Sequence, residues 1–357
     1  MFRIKFVLSG ALTLALAISM VSCRSTSDSN ASLSSAKQST VQSPNQVAKI
    51  PQIVRFTVWL DVLDKDIEGM TPEASAEKLV AGSARSGVFN LQGLARLYSD
   101  TDLKFDKARK RFKDLEDGIG GYIKWDDLLE KAKKNKSADG VLKKLQSKRA
   151  IAKKALEKVL VSEKFIPKDG DPGYLADFRA FLYAFPWKSV KEDRKIMLST
   201  LSAQLEEIKS TAYDFAHLEE GNGIHEFRRK LRWFSMEARA LNGLVVLKPI
   251  AEGCPVAAYK DLPTSEYAKS KYGVLPSSAI EADPVPLTPC LYVKIAAEIA
   301  RIGAIKDGVE EADNNTEGEA SDGASQKEQD AVRAVLEEML SNKVFDLLRA
   351  ELALGSN

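Results

Sequence analysis

From residue 51 onward apolar side chains return every third or fourth position, a period that a helix buries on one face and a strand cannot. Phe105, Ala108, Phe112, Leu115 and Ile119 show it most plainly; Gly120-Gly121 is read as the end of that helix, with a short one from Trp125 to Lys134 beyond. Val54, Val58, Leu60, Val62 and Leu63 open the pattern. Thr71-Pro72-Glu73 is a helix start: Thr caps, Pro sits in the first turn where no donor is needed, and Glu meets the positive helix end. Further segments are expected from Gly87 to about Tyr98, from a Ser137 cap through Leu160, from Tyr174 to Phe185, and from Ser189 to about Leu218. After Gly221-Asn222-Gly223 another runs to about Leu247, and the last two span Leu291 to Ile305 and Lys327 to about Leu354. No segment carries a hairpin signal. The expected fold class is therefore all-α, built of helical bundles. An N-terminal half would cover 51–166 and a C-terminal half 174–357, hinged at the turn-rich stretch between them.

The helical period fails in one place. The loop 248–290 carries Pro255, Pro263, Pro276, Pro284, Pro286 and Pro289, which exclude a continuous helix, and its spacing argues for no strand. Cys254 and Cys290 bracket it. In an exported chain a disulfide between them is expected, worth about 3–4 kcal/mol by loop-closure entropy; two buried free thiols are the alternative.

Export is what the amino terminus spells. Arg3 and Lys5 precede an apolar run from Phe6 to Val21 that ends in Met20-Val21-Ser22-Cys23. Residues 1–22 read as a signal peptide, and the ending resembles the bacterial lipobox, in which the cysteine is acylated. Cys23 is thus the expected lipidation site, with an ordinary cleaved signal that happens to end near a cysteine as the alternative. Residues 24–50, rich in Ser, Thr, Gln and Asn, bury too little to offset chain entropy and read as a flexible tether. The expected address is a bacterial cell envelope, the partner a membrane reached through the lipid. Arg24, not an aspartate, suggests the outer membrane by the enterobacterial pattern.

Overall charge is nearly balanced, with 52 Lys and Arg against 50 Asp and Glu, and nothing in it calls for nucleic acid. The balance hides asymmetry. Lys104 to Lys164 holds 19 Lys or Arg against 10 Asp or Glu, whereas Asp307 to Asp330 holds nine acids against Lys327 alone. The Gly- and Ser-bearing acidic insert 307–326 reads as lacking fixed structure.

The distinctive chemistry lies between Gly223 and Phe234. On a helix His225, Arg228, Arg229, Arg232 and Arg239 share one side, while Ile224, Phe227, Leu231, Phe234, Ala238 and Leu241 share the other. Crowded guanidinium groups repel one another, and an anion would offset that repulsion through paired hydrogen bonds. A solvated polar face, or acids lent by another helix, would also account for the strip.

His225-x-x-Arg228 followed by Arg229, Leu231 and Arg232 resembles the motif of the conserved histidine α-helical domain (CHAD). The resemblance implies two four-helix bundles related by an internal repeat, with basic residues between them that bind inorganic polyphosphate. It makes His225, Arg228, Arg229 and Arg232 candidate phosphate contacts, and Lys107, Lys110, Arg111 and Lys113 candidates from the other half. Trp233 and Phe234 stand where that family commonly has two further arginines, and only His217 and His225 occur in the chain.

Several chemistries are argued against. His225-Glu226 would begin a zinc-protease motif, but Arg229 occupies the place of its second histidine. No phosphate-binding Gly-Lys-Ser/Thr loop and no Gly-x-Ser-x-Gly elbow is present. Glu219-Glu220 and Asp126-Asp127 read as solvated acids, and the aromatic run Phe178 to Trp187 as core. The expectation is a non-enzymatic lipoprotein with a polyphosphate-like polyanion as ligand and no cofactor or metal. An adaptor that binds envelope protein partners is the alternative.

Overall fold

Helix α1 (Pro51–Ile67) starts on a proline and buries Ile53, Phe56, Leu60, Leu63 and Ile67, one face at alternating three- and four-residue steps. It belongs to a computed structural model that describes residues 50–355 except 83, 169, 277–282 and 315–322, with 307–314 by backbone alone. The signal peptide 1–22, the lipidation site Cys23 and its tether lie outside the described residues, as does 315–322 of the acidic insert.

The fold is all-α, with a two-stranded pair and one isolated bridge, His217 to Gly323, as the β-structure among the described residues. Helix α2 (Pro72–Ala81) is capped as its sequence requires, Thr71 Oγ1 accepting from the Ala74 amide at 3.3 Å. Helix α3 (Ala84–Leu97) follows, then α4 (Leu103–Lys134). The end expected at Gly120-Gly121 does not occur: neither glycine adopts a positive φ, and the helix passes through them to take in the expected Trp125 segment. Two interior glycines cost about 1 kcal/mol each in propensity, which packing of α4 on α3 and α5 offsets. Helix α5 (Asp139–Ser162) returns antiparallel to α4 and starts after Ala138, without the Ser137 side-chain cap.

Helix α6 (Gly173–Ala184) leads into a capping box of Ser189 and Glu192 that opens α7 (Val190–Ser210). This helix stops short of the expected Leu218. Tyr213 and Phe215 leave the helical path to pack on Phe227, with ring centroids 4.8 and 5.7 Å away. Helix α8 (Ile224–Ala240) likewise ends early, because Val245 and Val246 go into a strand. That strand, β1 (Val245–Leu247), pairs in parallel with β2 (Val285–Leu287), a segment of the proline-rich loop that spacing alone did not mark.

Helix α9 (Pro289–Asn314) extends into the acidic insert that was expected to lack structure. The last expected helix is two, α10 (Gln326–Ser341) and α11 (Val344–Leu354), broken where Lys343 takes φ 55°. The break folds α11 against α7 and β2 and buries Val344, Phe345, Leu348 and Leu352.

A single hydrophobic cluster runs through both expected halves, from Phe56 to Leu352. Helix α3 makes the join by lying against both α4 and α8. Gly93 permits that approach, since a Cβ there would stand 3.3 Å from Glu237 Cγ. Arg55 on α1 reaches Asp193 on α7 at 2.6 Å and Tyr98 Oη at 2.9 Å, so a buried ion pair crosses the same join. Cys254 and Cys290 form the expected disulfide, Cα to Cα 6.0 Å, pinning the loop to the first turn of α9. Phe178 is core and Phe181, Phe185 and Trp187 pack on it, while Tyr183 is exposed.

Candidate functional site

Helices α3, α4 and α8 enclose a groove of about 780 Å³. Each contributes residues at helical spacing, which is why side chains far apart in sequence share one wall. Arg85, Phe89, Gln92 and Arg96 come from α3. Arg109, Lys113, Glu116, Gly120 and Lys124 come from α4, and His225, Arg229, Arg232 and Trp233 from α8. The lining holds seven Lys or Arg against three acids, Asp106, Glu116 and Asp117.

The acids satisfy only some of the cations. Glu116 Oε1 accepts from Arg85 at 3.1 and 2.7 Å, and Asp106 Oδ1 from Arg109 at 3.1 and 2.7 Å. Lys113 pairs with Asp117 at 2.5 Å, and Arg229 with Glu226 at 2.5 Å. Among the described residues Arg232 and Lys124 meet no carboxylate within ion-pair distance. Arg232 lies over the Phe89 ring at 5.1 Å, with Arg85 5.4 Å from the same ring, and its Nε is buried with no acceptor. Burial lowers its proton affinity, yet a guanidinium stays charged at any working pH. A buried N–H without an acceptor is costly, and an incoming oxyanion would supply one. Gly120 shapes the floor: a Cβ there would stand 2.8 Å from Arg85 Nη2 and displace the guanidinium from Glu116.

Two titratable groups flank this cluster. Burial pushes His225 below its ordinary value; Glu219, 3.3 Å from Nδ1 but outside hydrogen-bond geometry, opposes the shift, and Lys306, Arg232 and Arg229 add to it. The imidazole is thus neutral at pH 7, and guanidinium and ammonium groups carry the charge. Glu237, fully buried beneath Arg96, is pushed by desolvation up to about 7, against the pull of Arg96 at 3.5 Å and a hydrogen bond from Gln204 Nε2. Arg96 also stacks on Trp233 at 5.1 Å, so this tryptophan supports a cation of the groove.

Of the residues expected from sequence, the groove gathers His225, Arg229, Arg232 and Lys113. Arg228, Arg239 and Lys110 are elsewhere. Arg228 lies on the α8 edge facing α9, donates from Nε to the Ile299 carbonyl at 3.0 Å, and rests against Gly303. Arg239 donates to the Lys271 carbonyl at 3.1 Å and covers the Trp59 ring. Lys110 pairs with Asp106 at 2.7 Å and borders a separate notch with Lys107 and Arg111, over Tyr174, Phe178 and Phe181. The strip read as one face is about 100° wide, so its two edges meet different neighbours.

Sequence reasoning missed Arg85, Arg96, Arg109 and Lys124. The signal on α3 was Arg85, Phe89, Gln92 and Arg96 on one helical face, a cationic stripe in a helix otherwise buried. Among the described residues no group of three or more His, Cys, Asp or Glu is placed to hold a metal, and no helix is long and apolar enough to cross a membrane. Compared with known proteins, the chain matches no protein family, no curated protein and no solved structure.

Proposed function

We propose that the groove binds a polyanion of the polyphosphate class, on a protein held at a bacterial envelope membrane by lipid on Cys23. The observation that carries this is Arg232: a half-buried guanidinium whose buried Nε has no acceptor, with no carboxylate within ion-pair distance, in a groove with more cations than acids. Its fork suits phosphate oxygens. Length argues for a chain of charges over a single ion. Arg85 to Arg96 spans roughly 16 Å along α3, and Arg109 to Lys124 roughly 22 Å along α4. The role is binding and not turnover, and it needs no cofactor. The resemblance of the His225 segment to the polyphosphate-binding helical domain points the same way.

The test is retention on a polyphosphate matrix. Wild type should be held at low salt and released at high salt. Arg229→Glu with Arg232→Glu should pass through unretained, with unchanged helicity by circular dichroism. Equal retention of the two proteins removes the reading. Co-purification of a stoichiometric protein partner, unaffected by polyphosphate, would favour the adaptor role instead.

A further inference from the structure

The free end of the α4–α5 hairpin is built unlike the rest of the molecule. Helix α5 buries only Leu156 and Leu160, and α4 buries nothing beyond Ala132, so the end has no core of its own. Between Lys131 and Lys148 seven lysines, all exposed, stand against one acid, Asp139. Among the described residues Lys133 alone of the seven has a carboxylate partner, Glu130 at 2.6 Å, while Lys148 lies 5.8 Å from the Trp125 ring centroid. One strip of α5 carries Val141, Lys144, Lys148, Ile151, Ala155 and Lys158, at steps of three and four and all exposed. Val141 is 47% and Ile151 62% exposed.

We propose that this strip lies on an anionic phospholipid surface. The alternation decides the class of partner. An apolar helix packed on the strip would bury three lysines without counter-charge, at prohibitive desolvation cost. A soluble polyanion would leave Val141 and Ile151 with nothing to do. A bilayer interface accepts both kinds at once: the apolar groups enter the acyl boundary while lysine stems lie along it and carry their ammonium groups to phosphates.

The inference rests on the membrane-anchor reading for proximity alone. Fully extended, the chain from Cys23 to Ile50 spans at most about 90 Å. Helix α4 carries its tip roughly 44 Å beyond Phe105, which packs on Phe56 of α1 with ring centroids 5.6 Å apart. The tip is therefore within reach of the bilayer that holds the tether.

The test is co-sedimentation of the full chain with phosphatidylcholine vesicles, with and without phosphatidylglycerol. Wild type should prefer the anionic vesicles, and salt should remove the preference. Lys144→Glu with Lys148→Glu and Lys158→Glu should lower the partition into them on the order of a hundredfold, at unchanged helicity. Val141→Asp with Ile151→Asp should lower it about tenfold. Cys23→Ser should keep the anionic preference, whether or not the anchor reading holds. Arg229→Glu with Arg232→Glu should sediment as wild type while failing on polyphosphate, so failure of the groove reading and of this one are separable. Equal sedimentation with both vesicle types, or lysine variants that sediment as wild type, overturns the proposal. So does a lysine variant that loses polyphosphate retention and keeps vesicle binding, which would assign the tip to a soluble polyanion.

Discussion

Glu237 gives the molecule a pH dependence that one atom-for-atom substitution should erase. Its carboxyl is fully buried at the crossing of α3 and α8, and burial raises it from 4.5 to about 7 although Arg96 and Gln204 pull the other way. Between those two values the folded protein holds a proton that the unfolded chain has released. Stability from this group is therefore full below the unfolded value and is lost as pH rises through the folded one. At about 1.4 kcal/mol per unit, the loss is about 3 kcal/mol. Glu237→Gln keeps the shape and removes the titration. Urea unfolding of both proteins should be followed from below the unfolded value to above the folded one. Glu77, Asp106, Asp171, Glu192 and Glu338, all held below their ordinary values, make stability rise with pH, but equally in both proteins. The difference should thus move by about 3 kcal/mol in favour of the variant. A difference that stays flat with pH refutes the burial argument for this carboxyl.

Reduction of Cys254–Cys290, or replacement of both by serine, should cost about 4 kcal/mol for a closed loop of this length; urea midpoints with and without reductant give the value. Gly93→Val should cost about 1–3 kcal/mol by forcing α3 off Glu237. Gly121→Ala, where a Cβ meets nothing within 4 Å, should gain roughly 0.5–1 kcal/mol, and paired thermal melts decide both signs. Arg55→Met strands Asp193 in the core and should cost about 3–5 kcal/mol in denaturant unfolding; a loss near zero would mean that the pair is solvated in solution.

Fold class was legible because it rests on period. The apolar faces of α1, α4 and α8 are written every three or four residues, and all three are buried as that spacing requires. Boundaries were less legible wherever tertiary packing overrode local signals. Gly120-Gly121 reads as a stop and is continued by contacts on α3 and α5, whereas Thr211 carries no stop signal and the chain turns there to stack Tyr213 and Phe215 on Phe227. Strand β2 was not legible because three residues, Val285, Pro286 and Leu287, are too few to show an alternation in sequence, although they alternate in burial once paired with β1. For the groove, the α8 residues were legible as a like-charge strip, but its division between two neighbours was not. Arg228 and Arg239 serve packing because α9 and the 271 region lie on that edge. Arg85 and Arg96 went unread although they share a helical face with Phe89 and Gln92: the segment was expected to start at Gly87, beyond Arg85, and only the position of α3 against α4 turns that polar edge into a wall.

The most direct measurement is a calorimetric titration of polyphosphate into three proteins at low and at high salt: wild type, Arg229→Glu with Arg232→Glu, and Arg239→Met, whose arginine lies outside the groove. Salt-sensitive binding by wild type and Arg239→Met, absent from the double variant, is the predicted result. Binding by the double variant as tight as wild type, or none by wild type at low salt, would contradict it.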